Sequence, residues 1–398
     1  MNYTKQQWKI ALTLFLIGTI VYIDKNLISL TILALGEEFG WNASQTGIIL
    51  SLYYFGFILI TLPGGWFVDR FGYKRFIIFA LSVVAISSLL FSFASSLWLL
   101  AIIRIGIGVG HAGYTNGSPK VISENYGGKQ RTALQSKILA TSGIGGLIAY
   151  TVGIQIVGFN WRSAYWLLAI LAVIALICLI IFVPDKKPEK RDIELGRTSI
   201  FIAWKNKSVL IISMGMFFTN LVTVGMMSWL PAVLKANFAV GDTELGQYLT
   251  INAIVMAAAT MTAGFVIMKF FANREKQFIT IFSTVGAIGL VAFIYSTHII
   301  AAIALLFVIT IFSMFVFTAF LTVPYKIVPS AIIGSSYAAI NIGAFIGGIV
   351  SPLIIGNLIT VSGGSFKLAF ITMAVCLLLA GISAALLHMD PHAVEEDA

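Results

Sequence analysis

Long apolar runs, each ended by charge, glycine, proline or a polar cluster, follow one another along the whole chain. They fall near 10–35, 45–68, 74–95, 98–120, 131–157 and 163–183, then near 208–231, 244–268, 278–296, 299–325, 333–360 and 366–388. A helix needs about 20 apolar residues to cross a bilayer, and each run is of that order. Between the sixth and seventh runs lies a polar interval, 184–207, holding Lys186, Lys187, Lys190, Arg191, Arg197, Lys205 and Lys207. The pattern predicts an all-α membrane protein of twelve transmembrane helices. They form two pseudo-symmetric six-helix bundles, 1–183 and 208–398, joined by a loop at 184–207.

Composition excludes the alternatives. Of 398 residues, 59% are hydrophobic and 10% charged, against about 45–50% apolar and about 25% charged in soluble domains. The mean hydropathy is +0.97, more apolar surface than one water-bounded core can hide. A soluble enzyme, a disulfide-stapled secreted domain and a disordered chain are all excluded. The first run follows a short polar stretch, Met1 to Lys9, with no small-residue cleavage site after it, and is read as a transmembrane helix. Cys178 and Cys376 lie inside apolar runs, and the four histidines form no cluster with them. No metal, cofactor or disulfide is expected.

The net charge of +9 would suggest nucleic acid in a soluble protein; here its distribution sets topology instead. With both termini inside, one side collects Lys5, Lys9, Arg70, Lys74, Arg75, Lys120, Lys129, Arg131, Lys137, the seven of the central loop, Lys269, Arg274, Lys276 and Lys326. The other side collects Arg162, Lys235 and Lys367. By the positive-inside rule, the termini and central loop are expected to be cytoplasmic.

The halves echo one another. Gly65-Trp-Phe-Val-Asp69-Arg70-Phe-Gly72-Tyr-Lys74-Arg75 joins spans 2 and 3, and Gly264-Phe-Val-Ile-Met268-Lys269 leads from span 8 toward Arg274 and Lys276. Repeated halves are a transporter design with the substrate near the midplane. The first segment resembles the signature loop of the major facilitator superfamily. Positive-inside charge explains its Arg and Lys but not its Gly-Asp-Gly spacing, and Asp69 is placed to pair with arginines or to face a helix N-terminus.

Within that superfamily the chain resembles the anion:cation symporters, which include galactonate, hexuronate and sialic-acid or glutamate transporters. The anchors are Tyr22-Ile-Asp24-Lys25-Asn26-Leu-Ile-Ser29, Pro63-Gly64-Gly65-Trp66, Arg104-x-Gly106-x-Gly108-x-Gly110-His111-Ala112, Phe159-Asn160-Trp161-Arg162, and Asn341-x-Gly343 with Gly347-Gly348-x-x-x-Pro352-x-x-x-Gly356. The chain departs from the family at Lys25, where Arg is usual, and at His111, where bacterial members often place Glu. The resemblance implies a proton-coupled symporter that imports a small organic anion, a sugar acid or carboxylate. It also implies a monomeric, multi-pass protein of the plasma (inner) membrane, with protons and the lipid bilayer as its other partners and no nucleic acid.

The chemistry-bearing residues are few. Asp24 is the one carboxylate well inside a span. A charge at mid-membrane costs about 2.5–3.5 kcal/mol on insertion scales, so Asp24 is expected to face protein or water. Two roles stay open for it: a proton-coupling site, or a structural partner of Lys25 or Arg104. Neighbouring helical residues diverge by about 100°, so Asp24 and Lys25 point apart. The resemblance implies that Lys25 contacts the substrate carboxylate; lysine keeps the charge but lacks the arginine fork. Arg104 and His111 are seven residues apart, hence on one face of span 4. By helix rise, His111 and Asp24 lie at nearly equal depth, ~19 and ~18 Å from the outer end. Proton coupling is assigned to Asp24, His111 and Arg104, with a hydrogen-bonded core histidine as the alternative for His111. Substrate contacts are assigned to Lys25, Arg104, Tyr22, Tyr53, Tyr54, Ser142, Asn220 and Asn341. For the neutral ones, interhelical hydrogen bonding is the competing role.

Gly108-x-Gly110-x-x-Gly113 matches a dinucleotide pattern, but it lies inside an apolar helix with no strand before it. Glycines 106, 110 and 117 are expected to let helices approach closely. Drug or metabolite efflux remains the alternative function, with Lys25 and Arg104 arguing against a lipophilic cation. A membrane sensor without transport is a further alternative, and a membrane-embedded enzyme lacks any nucleophile–base pair or His-Glu-x-x-His motif.

Overall fold

The computed structural model describes residues 3–185, 205–328 and 333–387. Its regular elements are helices: α1 (Lys5–Phe39), α2 (Ala43–Phe71), α3 (Tyr73–Phe93), α4 (Leu97–Asn125), α5 (Gly128–Leu139), α6 (Thr141–Ile148), a π-helical turn (Ala149–Gly153) and α7 (Ile154–Phe182). After the central interval come α8 (Lys207–Phe238), α9 (Asp242–Phe270), α10 (Glu275–Ile294), α11 (Ile299–Thr322), the short α12 (Pro324–Ile327), α13 (Ile333–Val361) and α14 (Lys367–Ala385). Residues 186–204, most of the predicted central loop, lie outside the described residues.

Among the described residues, eleven stretches are long and apolar enough to cross a membrane, the longest being Ala133–Phe182. That stretch breaks at Asn160, whose backbone is extended at φ −164° and ψ 111°. The Asn160 side chain accepts from the Arg162 N–H at 2.9 Å, so it caps the helix that follows. The stretch is therefore two spans, which makes twelve among the described residues, with the break at the predicted Phe159–Arg162 corner. Glu38 at the end of α1 secures that corner: it takes both Arg162 nitrogens at 2.7 and 2.8 Å and the Trp161 indole N–H at 2.7 Å.

Packing divides the chain into two compact units. The first comprises the described residues of Met1–Trp41, Ile48–Gly196 and Asp242–Thr250; the second those of Asn42–Gly47, Arg197–Gly241 and Ile251–Ala398. In the first unit α4 presents Gly106, Gly110 and Gly117 to α3, whose Ser87, Val84 and Ile77 occupy the space a Cβ would need. In the second, Phe278, Phe315 and Phe320 lie in one buried cluster, with Phe278 and Phe315 stacked at 5.8 Å. Large apolar side chains such as Trp98, Ile102 and Met261 stand 72%, 67% and 84% exposed. On a soluble protein that surface would be sticky; on spanning helices it is where lipid chains lie.

The connection between α2 and α3 is built as a turn onto α7. Gly72 has φ +85°, a region L side chains avoid. The Tyr73 hydroxyl then donates to the Pro184 carbonyl at 2.9 Å, and Lys74 Nζ to the Ile180 carbonyl at 2.8 Å. Lys74 thus satisfies a carbonyl in the last turn of α7, where a cation is favoured. Arg75 meets Asp185 at 3.6 Å, and Arg70 lies over the Trp66 ring at 4.9 Å. The Asp69 side chain and the surroundings of Gly65 lie outside the described residues.

Candidate functional site

The first unit draws α1, α2 and α4 together around one polar group. Two glycine seams set the spacing. A Cβ on Gly108 of α4 would collide with the Tyr53 carbonyl of α2, and one on Gly145 of α6 would lie 2.5 Å from the Tyr22 Cβ of α1. Only glycine permits these approaches, and they carry Tyr53 and Tyr22 to the charged residues.

At the centre Arg104 Nη1 donates to both oxygens of Asp24, at 3.4 and 3.3 Å. Each of these residues is 1% exposed. The Arg104 guanidinium also lies over the Tyr53 ring, 5.0 Å from its centroid. His111 Nε2 lies 4.0 Å from Asp24 Oδ2, and Nδ1 lies 3.1 Å from the Tyr53 hydroxyl. With the proton on Nε2, the ring turns a positive edge to the carboxylate while Nδ1 accepts from Tyr53, a tautomer consistent with both contacts. Arg104 Nε and His111 Nε2 are buried without a hydrogen-bond partner among the described residues.

Lys25 points elsewhere, as the helical angle requires. It is partly buried and makes no ion pair among the described residues; its ammonium lies 6.0 Å from the Tyr22 ring and 5.9 Å from the Tyr54 ring. These are outer cation–π distances, a weak hold for a full charge. The arrangement therefore separates a neutralised pair, Asp24 with Arg104, from a free cation one residue along the helix.

Not every assigned residue joins this group. Ser142, partly buried on α6, gives its hydroxyl proton to the Leu139 carbonyl at 2.8 Å. Asn220 and Asn341 belong to the second unit. Asn220 Nδ2 donates to the Ala344 carbonyl of α13, while Asn341 is exposed. The glycines of the Asn341 motif pack α13 on α8: Gly343 abuts the Ser213 carbonyl and Gly347 the Phe217 carbonyl.

Three polar neighbours were given no role from the sequence, Asn26 being read there only as part of a motif. Tyr150 donates to Asn26 Oδ1 at 2.9 Å, and Asn26 Nδ2 donates to the Tyr22 carbonyl at 2.7 Å. Tyr150 stands in the π-helical turn, a local widening that often marks functional helices and that no side-chain pattern announces. Tyr165 of α7, fully buried, stacks on Phe91 at 3.9 Å. A hydroxyl or amide in an apolar run reads alike whether it faces lipid, core or substrate, so only the adjacency of Asn26 to Lys25 was an available signal.

The sequence profile of the Major Facilitator Superfamily matches residues 14–352. The hexuronate transporter of Bacillus subtilis is 24% identical, over 66% of this chain and 65% of its own. The chain thus spans just under two thirds of that relative and 34% of a probable sulfoacetate transporter from Cupriavidus necator. The cis,cis-muconate transport protein of Acinetobacter baylyi is also 24% identical, over 95% of this chain and 94% of its own. Among solved structures, a bacterial homolog of the human lysosomal transporter Spinster, inward-facing and occupied, has a TM-score of 0.85 at 18% identity, covering 97% of each chain. A D-xylose–proton symporter has a TM-score of 0.76 at 20% identity, covering 95% of this chain and 97% of its own. At these identities the two structures establish the fold alone.

Proposed function

The chain belongs to the Major Facilitator Superfamily, and from that premise we propose that it imports a small organic anion, such as a sugar acid or another carboxylate, by proton-coupled symport. It is a multi-pass membrane transporter and not an enzyme. The observation that carries the reading is Lys25: a partly buried ammonium facing two tyrosine rings, with no carboxylate paired to it among the described residues. An uncompensated cation in a low-dielectric setting attracts an anion strongly, and it repels the lipophilic cations that an efflux pump would carry.

In this reading Lys25 takes the substrate carboxylate, and Tyr22, Tyr53 and Tyr54 of the same unit offer hydrogen bonds to its remaining oxygens. Asp24 is the proton carrier. Its charge is held by Arg104 at 3.3 Å, so protonating Asp24 releases the guanidinium, and Arg104 thereby links the acid to the bound anion. His111 shares the proton through Nε2. Transport proceeds by alternating access, with both termini and the 184–207 loop in the cytoplasm and the chain acting as a monomer in the plasma membrane. Support comes from relatives whose names specify hexuronate and muconate transport. The test is uptake of a panel of labelled organic acids into proteoliposomes. A gradient acidic on the outside should drive accumulation of at least one acid above equilibrium; accumulation of none would overturn the proposal.

A further inference from the structure

Polar residues divide α1 into two faces. Tyr22, Lys25, Asn26 and Ser29 are spaced three and four apart and share one face. Asp24, Thr31 and Glu38 are spaced seven apart and share another, turned by at least about 100° from Lys25. The proposed substrate cation and the proposed proton carrier therefore stand on different faces of one helix.

The Asp24 face is lined by α7 and α4. At the end of α1 that the proposed topology places outside, Glu38 accepts from the Trp161 indole N–H. Tyr165 stands one turn along α7, about 6 Å inward from Trp161. Its hydroxyl lies beside Thr31 and in the fields of Asp24 and Arg104. Phe91 stacks on the Tyr165 ring at 3.9 Å and meets Trp161 edge-on at 6.0 Å, which holds the phenol in place. Arg104 leaves α4 about 10 Å nearer the same end than His111, and its side chain runs inward to Asp24 Oδ2. Tyr165, Thr31 and the length of the Arg104 side chain thus lead toward Asp24 from the Glu38 end.

Three polar atoms along this course are buried without a hydrogen-bond partner among the described residues: Tyr165 Oη, Arg104 Nε and His111 Nε2. Such groups are expensive to leave unpaired, and buried water commonly serves them, making about three hydrogen bonds each. We propose that Tyr165 relays the coupled proton to Asp24 through water held by Tyr165 Oη, Arg104 Nε and His111 Nε2, on the face of α1 turned away from Lys25. The proposal rests on Asp24 as the proton carrier and adds the route by which it is reached. A hydrated proton on the Glu38 side gives its proton to the phenol oxygen, leaving water, while the phenol's own proton passes through the held water to Asp24 Oδ2. One O–H bond forms and one breaks at Tyr165, which stays neutral, and Asp24 loses its charge. The ionisable groups facing this course are Arg104 and His111 from α4 and Tyr53 from α2, with the Glu38–Arg162 pair at its outer end. From α3 the neighbour of Tyr165 is Phe91, and Lys25 and Tyr22 lie on the other face of α1.

The test follows proton arrival, so it needs no substrate. Time-resolved infrared spectroscopy of the purified full chain in lipid nanodiscs records the Asp24 carboxylic-acid band after a rapid drop in pH, the band being assigned by its loss in Asp24→Asn. Tyr165→Phe keeps the stack on Phe91 and removes the hydroxyl. It should slow the rise of the band at least about tenfold, within what a positioned proton donor contributes. The pH midpoint of the band should move by less than about one unit, the size of an ordinary environmental shift. Ser29→Ala, on the Lys25 face, should change neither rate nor midpoint. An unchanged rate in Tyr165→Phe overturns the proposal. So does a slowing matched in Ser29→Ala, or one accompanied by a larger shift of the midpoint, which would make Tyr165 an electrostatic neighbour only. If Tyr165→Phe does not fold, Thr31→Val decides by the same reading: a slower rise at an unmoved midpoint supports the relay, and an unchanged rise overturns it. If no Asp24 band appears before the chain unfolds in acid, the proton-carrier reading itself fails.

Discussion

Arg104 lies seven residues nearer its helix start than His111, yet both reach the same carboxylate: Arg104 Nη1 is 3.3 Å and His111 Nε2 4.0 Å from Asp24 Oδ2. The long arginine side chain covers the axial offset of about 10 Å that seven residues impose. Asp24 therefore has two nitrogen-bearing side chains of one helix face directed at the same oxygen, the Arg104 guanidinium and the His111 ring. Of the two roles weighed for Asp24, the contact shows the ion-pair partner of Arg104; the proton carrier is the role proposed for it.

Replacing Asp24 by Asn keeps its size and removes its proton. Accumulation driven by a pH gradient should be abolished, while binding and exchange of the substrate stay measurable. Paired uptake and exchange assays in proteoliposomes check this, and undiminished uphill uptake would remove Asp24 from the coupling mechanism.

The buried pair also makes a stability prediction. Arg104→Gln strands Asp24 without its cation, which should cost about 3–5 kcal/mol. Adding Asp24→Asn in the same chain removes the stranded charge and should recover most of the loss. Thermal unfolding in detergent of both single variants and the double variant measures the coupling; strictly additive effects would contradict it.

For His111, protonation adds positive charge beside the anion, so anion binding should strengthen as pH falls through the histidine's titration. Glutamine can hydrogen-bond to Tyr53 but cannot take up charge. His111→Gln should therefore flatten the pH profile of monoacid binding more than it lowers maximal affinity. An unchanged profile would leave His111 as a packing residue held by the Tyr53 hydroxyl.

The spans were legible because lipid imposes long apolar runs, and the Asn160 break because a polar corner interrupts one of them. The divergence of Asp24 and Lys25 followed from helix geometry, and the equal depth of Asp24 and His111 from the rise per residue. Which cation would hold Asp24 was not legible, since that depends on how closely α4 approaches α1 and α2. Gly108 and Gly145 set such distances, but a glycine in sequence does not say which helix it faces. Glu38, the anchor of Trp161 and Arg162, and Tyr150, the partner of Asn26, were likewise hidden. Each is an ordinary polar residue until the fold supplies its neighbour.

In the proposed function Lys25 is the cation that recognises an anionic substrate. Its most direct test is equilibrium binding of organic acids to the purified chain, compared with Lys25→Ala and Lys25→Arg. Lys25→Ala should lose at least about tenfold in affinity across all acids that bind, more than a neutral hydrogen bond contributes. Lys25→Arg should retain binding, with a shift toward planar carboxylates that fit its fork. A neutral sugar or lipophilic cation that binds well and is indifferent to Lys25→Ala would contradict the account.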